Sequence, residues 1–381
     1  MLLLSVFMKV LTKVGIVGGG QLAMMMIEAA HRLEMEVVVL TDASHEPIPH
    51  IASDVIEGDA RNLADLRKLA SMTEVITFDH ELIDATVLAA LEDEGVTLRP
   101  GSSVLQMTTN KVRQSQLFDA LGLPNPETKI VDNVCSAIEG VEAFDGAAIL
   151  KTATGGYDGR GVLFDVSPES IAKWFPTDSV GVLVQRKVHI DHEIAVQVVR
   201  SADGTSRTYP VVRTTQENGM CSMVQVPSGL GAELEADAAS IARTIADAIG
   251  SVGILTVEMF VVEGTLIMNE LAARPHNSGH LTIESARTSQ FENHLRAVTG
   301  QPLGGTDLVV PAAAMANVVG IEGNGSGPAI LPSDGAIHLY GKVARPGRKL
   351  GHVTCIAPTA EEAGVRAQHA ARAIEAGRFG S

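Results

Sequence analysis

Val14–Val17 is a short, mostly β-branched run that stops at Gly18-Gly19-Gly20, and apolar positions then recur at helical spacing from Gln21 to Leu33. A second apolar run, Val37–Leu40, ends at Asp42. Strand, glycine turn, helix, strand predicts a βαβ unit. Asp54–Glu57, Val75–Phe78 and Thr97–Arg99 predict further strands separated by helices. Residues 1 to about 105 therefore read as an open parallel, Rossmann-like α/β domain.

The pattern changes near Met107. Lys111–Leu121 is amphipathic and helical, and Gly122-Leu123-Pro124 stops it. Strands follow at Ala147–Lys151, Gly161–Phe164, Val180–Gln185 and Glu193–Arg200. Ala232–Ile249 predicts a helix closed by Gly250, and Thr256–Val262 and Thr265–Leu271 predict two strands joined by Glu263-Gly264. This α+β region spans 106–305, with a central subdomain at about 125–190. The Gly/Pro-rich stretch Gly320–Pro332 sets off a small β-rich C-terminal domain within 306–381, with a strand pair near His338–Lys342 and His352–Ile356 and a final helix.

Composition narrows the function. The 381 residues are 45% apolar and 19% charged, an ordinary globular balance. A net charge of −16 argues against general nucleic-acid binding, which needs cations to displace counterions, and 3% aromatics argues against a base-stacking platform. Three distant cysteines, Cys135, Cys221 and Cys355, form no disulfide framework and fit a reducing cytoplasm. Met1–Met8 is apolar but lacks a preceding basic region and a cleavage site, so it reads as an extension before a start near Met8. No apolar run approaches the roughly 18–20 residues of a membrane span.

Five segments carry candidate chemistry. Gly18-x-Gly20-x-x-Ala23 with Asp42 matches a dinucleotide fingerprint, in which a tight turn brings a helix N-terminus to an anion. Thr154-Gly155-Gly156-Tyr157-Asp158-Gly159-Arg160-Gly161 lies between two β runs, with Lys151 just before it. Such a hairpin tip can fold over a polyphosphate, offering backbone N–H groups while the lysine supplies a point charge. Glu258 and Asn269-Glu270 sit on the two joined strands. A three-residue hairpin loop sets Glu258 opposite Glu270; a two-residue loop sets it opposite Asn269. Opposed carboxylates repel unless a cation lies between them, and oxygen ligands near a triphosphate point to Mg²⁺. Arg274-Pro275-His276-Asn277-Ser278-Gly279-His280 follows at once and suits a small oxyanion. Finally Lys342, Arg345, Arg348 and Lys349 cluster cations in an acidic chain, which suits a phosphate monoester.

Together these segments resemble the ATP-grasp superfamily and, within it, the 5-(carboxyamino)imidazole ribonucleotide synthase family. The resemblance runs from Gly15 to about Gly351 and is carried by GGGQLAMM, TGGYDGRG, NELAARPHNSGH and YGKVARPGRKLGH. It implies an ATP-grasp fold and ATP-dependent carboxylation of 5-aminoimidazole ribonucleotide by bicarbonate, through carboxyphosphate, in purine biosynthesis. It implies ATP as co-substrate, Mg²⁺ with Mn²⁺ as an alternative, and a homodimer. Lys111 and Lys151 would contact the ATP phosphates beneath Gly155, Gly156, Tyr157, Asp158, Gly159, Arg160 and Gly161. Gln185, Arg186, Lys187 and Val188 would meet adenine, and Glu193 the ribose. Glu258 and Glu270 would hold the metal beside Asn269. Arg274, His276 and Asn277 would cradle bicarbonate and, with Lys151, form the catalytic set. Tyr157, Asp158 and Arg160 would reach the ribonucleotide, Lys342, Arg345, Arg348 and Lys349 its phosphate, and Gln21, Leu22 and Glu81 would approach it from the first domain.

The sequence departs from the family pattern in four places. Ala23-Met24 stands where Gly-Arg is usual, Gln216 where a histidine near the nucleotide is common, Asn110 for an aspartate and Leu350 for a methionine. The rival readings are another ATP-grasp carboxylate–amine ligase, a nicotinamide-dependent dehydrogenase resting on Gly18, Gly20 and Asp42, and a nucleotide-binding protein without turnover.

Overall fold

β-Branched runs bounded by turn formers extend, and runs with apolar positions three and four apart coil. The computed structural model describes residues 12–42, 51–156, 161–176, 181–217, 219–321 and 335–376. Met1–Met8, the tip of the glycine loop (Tyr157, Asp158, Gly159 and Arg160) and most of Gly320–Pro332 lie outside the described residues.

The first segment contains β1 (Lys13–Val17), α1 (Gln21–Arg32), β2 (Glu36–Thr41), β3 (Asp54–Glu57), α2 (Leu63–Met72), β4 (Val75–Phe78) and α3 (Ala85–Asp93). Its strands form one parallel sheet in the order β3-β2-β1-β4. Val14, Ile16, Val37 and Val39 face α1, while Val17, Val38, Leu40 and Phe78 face α2 and α3. Both faces are covered, which is why the strands read as continuous apolar runs. Asn62 and Asp84 cap α2 and α3 by accepting the N–H groups of Ala64 and Thr86. The expected strand Thr97–Arg99 is reduced to a single bridge, Ile76 with Leu98. Pro100 follows it, has no N–H to donate, and ends the ladder.

The next segment contains α4 (Ser102–Thr108), α5 (Lys111–Ala120), β5 (Thr128–Val131), α6 (Val134–Glu142), β6 (Ala148–Thr152), β7 (Val162–Leu163), α7 (Pro168–Trp174) and β8 (Val182–Arg186). The strands form a second, antiparallel sheet in the order β5-β8-β6-β7. Ala148 and Leu150 pack with Val141, Phe144 and Ile171 beneath α6 and α7. Strand alternation therefore turns Lys151 to the opposite face.

The remaining elements are β9 (His192–Arg200), β10 (Ser206–Thr208), β11 (Val212–Glu217), β12 (Met220–Val226), α8 (Ala232–Ile249), β13 (Gly253–Val262), β14 (Thr265–Ala272), α9 (Thr282–Ser285), α10 (Gln290–Val298), β15 (Ala312–Val319), β16 (Ala336–Leu339), β17 (Lys349–Ala357) and α11 (Ala360–Ala376). The third sheet runs β14-β13-β9-β11-β12-β15-β17-β16, with β10 added on β9. α8 lays Ala238, Ala242, Ile245 and Ala246 over Val196, Val198, Leu255 and Val257. Each large apolar side chain buried this way contributes about 1.5–3 kcal/mol. Gly250 stops α8 at φ 65°, a left-handed conformation that glycine adopts without strain.

The C-terminal β-rich region adds its strands to this same sheet. β15, with the sequence AAAMANVV, carries little β-branched signal, and the sequence alone does not mark it as a strand. It is buried nonetheless between β12 and β17, and Ala314 and Ala316 lie under Ala363, Ala367, Ala370 and Ala371 of α11. Small residues on both surfaces let helix and sheet approach closely. Among the described residues no helix is long and apolar enough to cross a membrane. Cys135 is exposed, Cys221 half-buried and Cys355 buried.

Candidate active site

The β13–β14 hairpin turns through two residues, Glu263 and Gly264, with Val262 paired to Thr265. That loop length alone would set Glu258 opposite Asn269. The register shifts beyond Met259–Met268, however, and Glu258 pairs with Glu270. Asn269 is thus the extra residue of a β-bulge. Burial shows the consequence: along β14 accessible and buried positions alternate until Asn269 and Glu270, which are both partly accessible. Three polar side chains converge on one face in place of two. The Asn269 amide donates to Glu258 Oε2 at 3.4 Å, and its carbonyl oxygen accepts from Lys151 Nζ at 3.4 Å.

Two lysines face this group. Lys111 Nζ donates to Glu270 Oε1 at 2.5 Å. Asn110 places Lys111 at the start of α5 by accepting the N–H groups of Val112 and Arg113, so its amide caps as an aspartate would. The Lys111 N–H also donates to Ala153 O at 2.8 Å, fixing the helix to the base of the glycine loop. Gly155 and Gly161 frame that loop at φ +78° and +74°. Burial, with the like charge of Lys111, pulls Lys151 down to about 8. Burial, with the like charges of Glu270 and Glu193, pushes Glu258 up to about 7. Two facing carboxylates, one of them held this high, could hold a cation.

The oxyanion loop begins where β14 ends. Glu81 Oε1 accepts the Ala273 N–H at 2.9 Å and the Thr108 hydroxyl at 3.1 Å, and Glu81 Oε2 lies 3.6 Å from Arg274 Nε. Gln290 grips His276 through both backbone groups, at 3.0 and 2.7 Å. His276 Nδ1 accepts the Ser278 N–H at 3.3 Å, which leaves the neutral ring's proton on Nε2, 3.7 Å from Glu258 Oε1. Burial, with the charges of Arg274 and Lys349, lowers His276 to about 3, so the ring is neutral. Asn277 and Asn317 exchange two amide hydrogen bonds at 3.0 and 2.8 Å.

The remaining residues singled out in the sequence divide into those near this centre and those apart from it. Lys349, at the start of β17, acts electrostatically on Glu258 and His276. Lys342 Nζ donates to Gln21 Oε1 at 2.6 Å, bringing the C-terminal cation segment against the first turn of α1. Leu22 is buried in the core beneath that helix. Arg345 is exposed, and Arg348 donates to Val343 O at 3.3 Å. Gln185 is buried and donates to Thr128 Oγ1 at 3.1 Å, beside a recess also lined by Lys111, Lys151 and Asn269. Arg186 turns away, to Glu127 at 2.9 Å and over the Phe144 ring. Lys187 is exposed and Val188 half-buried. Burial raises the Glu193 carboxyl, and Gln216 hydrogen-bonds to it.

At the glycine turn the Gly20 N–H donates to Asp79 Oδ2 at 2.6 Å. A carboxylate therefore lies at the helix N-terminus where a dinucleotide would place its pyrophosphate, which disfavours the dehydrogenase reading. Asp79, Gln290 and Asn317 went unnoticed in the sequence. Each stands alone among unrelated residues, and its role appears only when distant strands meet.

The chain matches known families along most of its length. Residues 11–109 match the ribonucleotide synthetase preATP-grasp domain, 116–291 the ATP-grasp domain, and 313–366 the phosphoribosylaminoimidazole carboxylase C-terminal domain. The N5-carboxyaminoimidazole ribonucleotide synthase of Mycobacterium tuberculosis is 38% identical over 383 residues, covering 96% of this chain and 88% of the relative. The crystal structure of the Thermotoga maritima synthetase of that name superposes with a TM-score of 0.84 at 32% identity, covering 95% of this chain and 98% of that one. The Aspergillus clavatus synthase, solved with ADP and 5-aminoimidazole ribonucleotide, gives 0.85 at 29% identity, with 96% and 99% covered. The chain belongs to the N5-carboxyaminoimidazole ribonucleotide synthase family of ATP-grasp ligases.

Proposed function

We propose that the protein carboxylates 5-aminoimidazole ribonucleotide, using ATP and bicarbonate and releasing ADP and phosphate, in de novo purine biosynthesis. One juxtaposition carries the reading. His276 of the oxyanion loop lies 3.7 Å from Glu258, whose neighbours Glu270 and Asn269 contact Lys111 and Lys151. An acid and a triphosphate held there would meet.

Bicarbonate is a poor electrophile because hydroxide leaves poorly. Transfer of the γ-phosphoryl group to a bicarbonate oxygen gives carboxyphosphate and ADP. The exocyclic amine then attacks the carboxyl carbon, phosphate leaves and the amine proton is lost. Lys111 and Lys151 would neutralise charge on the transferring group. Arg274, His276 and Asn277 would orient the bicarbonate; such positioning contributes roughly 7–11 kcal/mol where geometry is right. His276, neutral with its proton on Nε2, can donate a hydrogen bond to an oxyanion there. The glycine loop would exclude water from the labile intermediate.

Mg²⁺ suits the donor set, with Mn²⁺ as the alternative. Glu258 and Glu270 would hold it beside the Asn269 carbonyl oxygen, and the like-charge pressure on Glu258 supports that reading. When bound, it supplies charge neutralisation on the triphosphate. Lys342 and Lys349, with Arg345 and Arg348, remain the proposed phosphate contacts. The unit boundaries at about 105 and 305 are likewise our assignment, as are a cytoplasmic location and a homodimer.

ADP release measured with and without each co-substrate tests the function. It should require ribonucleotide and bicarbonate together. Turnover with a different acid or amine in place of either would assign another ligase reaction.

A further inference from the structure

Behind the oxyanion loop lies a polar seam that no step of the carboxylation uses. His280, at the end of the loop, and His352, on β17, are fully buried, with ring centroids 4.9 Å apart. His338 on β16 stacks on His352 at 4.5 Å, and its Nε2 lies 2.7 Å from Glu284 Oε1 on α9. The Tyr340 hydroxyl lies 2.7 Å from His352 Nδ1. Asn317, the cross-strand neighbour of His352, carries the paired amide bonds to Asn277. The loop region and the C-terminal strands are thus linked at Asn277–Asn317, His280–His352 and Glu284–His338. The same C-terminal strands flank Lys342 and Lys349.

Apolar side chains would fill this space at lower cost. Among the described residues His280 Nε2, His352 Nε2 and Glu284 Oε2 are buried without a hydrogen-bond partner. Unpaired buried polar atoms oppose stability, so the seam is not explained by stability. Burial also keeps His280 and His352 far below the ordinary imidazole range, and therefore neutral. What directional contacts supply, and apolar ones do not, is a fixed register between two backbones.

We propose that His280, His338 and His352 are positioning residues that lock the oxyanion loop to the cation-bearing C-terminal strands, so that bicarbonate and ribonucleotide bind cooperatively. The inference rests on the proposed reaction, which places those two ligands on those two segments. By linkage each ligand raises the affinity for the other by the same factor.

The test uses the intact enzyme with a non-hydrolysable ATP analogue. The ribonucleotide Kd is measured by calorimetry in bicarbonate-free and bicarbonate-saturated buffer. Wild type should bind at least about fivefold tighter with bicarbonate present. His338→Phe keeps a ring against His352 but loses the Glu284 contact, and the factor should fall below about twofold while affinity for the analogue stays within about twofold. Glu284→Gln, which keeps an oxygen acceptor, should retain the coupling. Should His338→Phe fail to fold, Glu284→Leu breaks the same link and is read by the same ratio. A wild-type factor of one, or an unchanged factor in a folded variant lacking the link, overturns the proposal. Absence of bicarbonate-dependent ADP release from wild type would instead overturn the reaction itself.

Discussion

Glu258 and Glu270 face each other across β13 and β14 because Asn269 occupies a bulge between Met268 and Glu270. The bulge turns three polar side chains into the cleft where a regular strand would supply two. Each carboxylate bears on the other, and Lys111 bonds directly to Glu270. Glu270→Gln keeps the side-chain shape and an oxygen for Lys111 while removing the charge. Turnover should fall by about 10²–10³, the scale of losing one electrostatic contact in a transition state. Melting temperature should stay level or rise, since a like-charge repulsion is relieved. Near wild-type ADP release from a folded Glu270→Gln protein would sink the metal assignment.

Glu258 predicts a pH dependence that needs no turnover to observe. Its carboxyl titrates near 7 in the metal-free protein, above the ordinary carboxylate value of 4.5. A proton and a metal ion compete for it, so divalent-cation affinity should weaken as pH falls. Between pH 8 and pH 6 the loss should be about tenfold. The linkage to stability runs the other way. The folded state holds this proton more tightly than the unfolded chain, so the contribution is present below about 4.5 and is lost as pH rises through about 7. Mn²⁺ titration followed by electron paramagnetic resonance at the two pH values reads the first effect. A pH-independent affinity would remove Glu258 from the ligand set.

Much of this architecture is legible in the sequence, and what is not has a physical reason. β3, β4 and α8 fall on the residues their periodicity predicts, because local spacing alone decides them. The Glu258 pairing stayed open between two registers. Loop length argues for Asn269, and only packing of β14 against the rest of the sheet creates the bulge that selects Glu270. β15 escaped notice because alanine signals strand poorly; contact with α11 and two neighbouring strands overrides that preference. The site motifs were readable because their density is improbable in a bland loop. Their supports, Gln290, Asn317 and Asp79, are single residues made meaningful by contacts across the fold.

Gly18 shows how closely the glycine turn is built around Asp79. Its φ is +104°, and a Cβ there would lie 1.7 Å from Asp79 Oδ1. Gly18→Ala must therefore accept a backbone strain of about 1–3 kcal/mol and also displace the carboxylate from Gly20 N–H. A fall of at least several degrees in melting temperature should follow. The same arrangement predicts no quenching of NADH fluorescence by wild type, while ATP should raise its melting temperature. Quenching that saturates with protein would revive the dehydrogenase reading.

Glu81 supports Arg274 from the loop between β4 and α3, and its two oxygens have separable duties. Oε1 accepts from the Ala273 N–H and the Thr108 hydroxyl, while Oε2 faces the Arg274 guanidinium. Glu81→Ala abandons two donors in a partly buried setting, a loss of about 1–3 kcal/mol. Glu81→Gln keeps the acceptor and removes only the charge beside Arg274. The alanine variant should melt several degrees lower, whereas the glutamine variant should melt close to wild type. Both should raise the bicarbonate KM, because Arg274 loses the anion that aims it, and both should leave the ATP KM within about twofold, which is within the scale of additive, uncoupled sites. If the ATP KM rose with the bicarbonate KM in the glutamine variant, Glu81 would be serving the whole cleft and not the arginine alone.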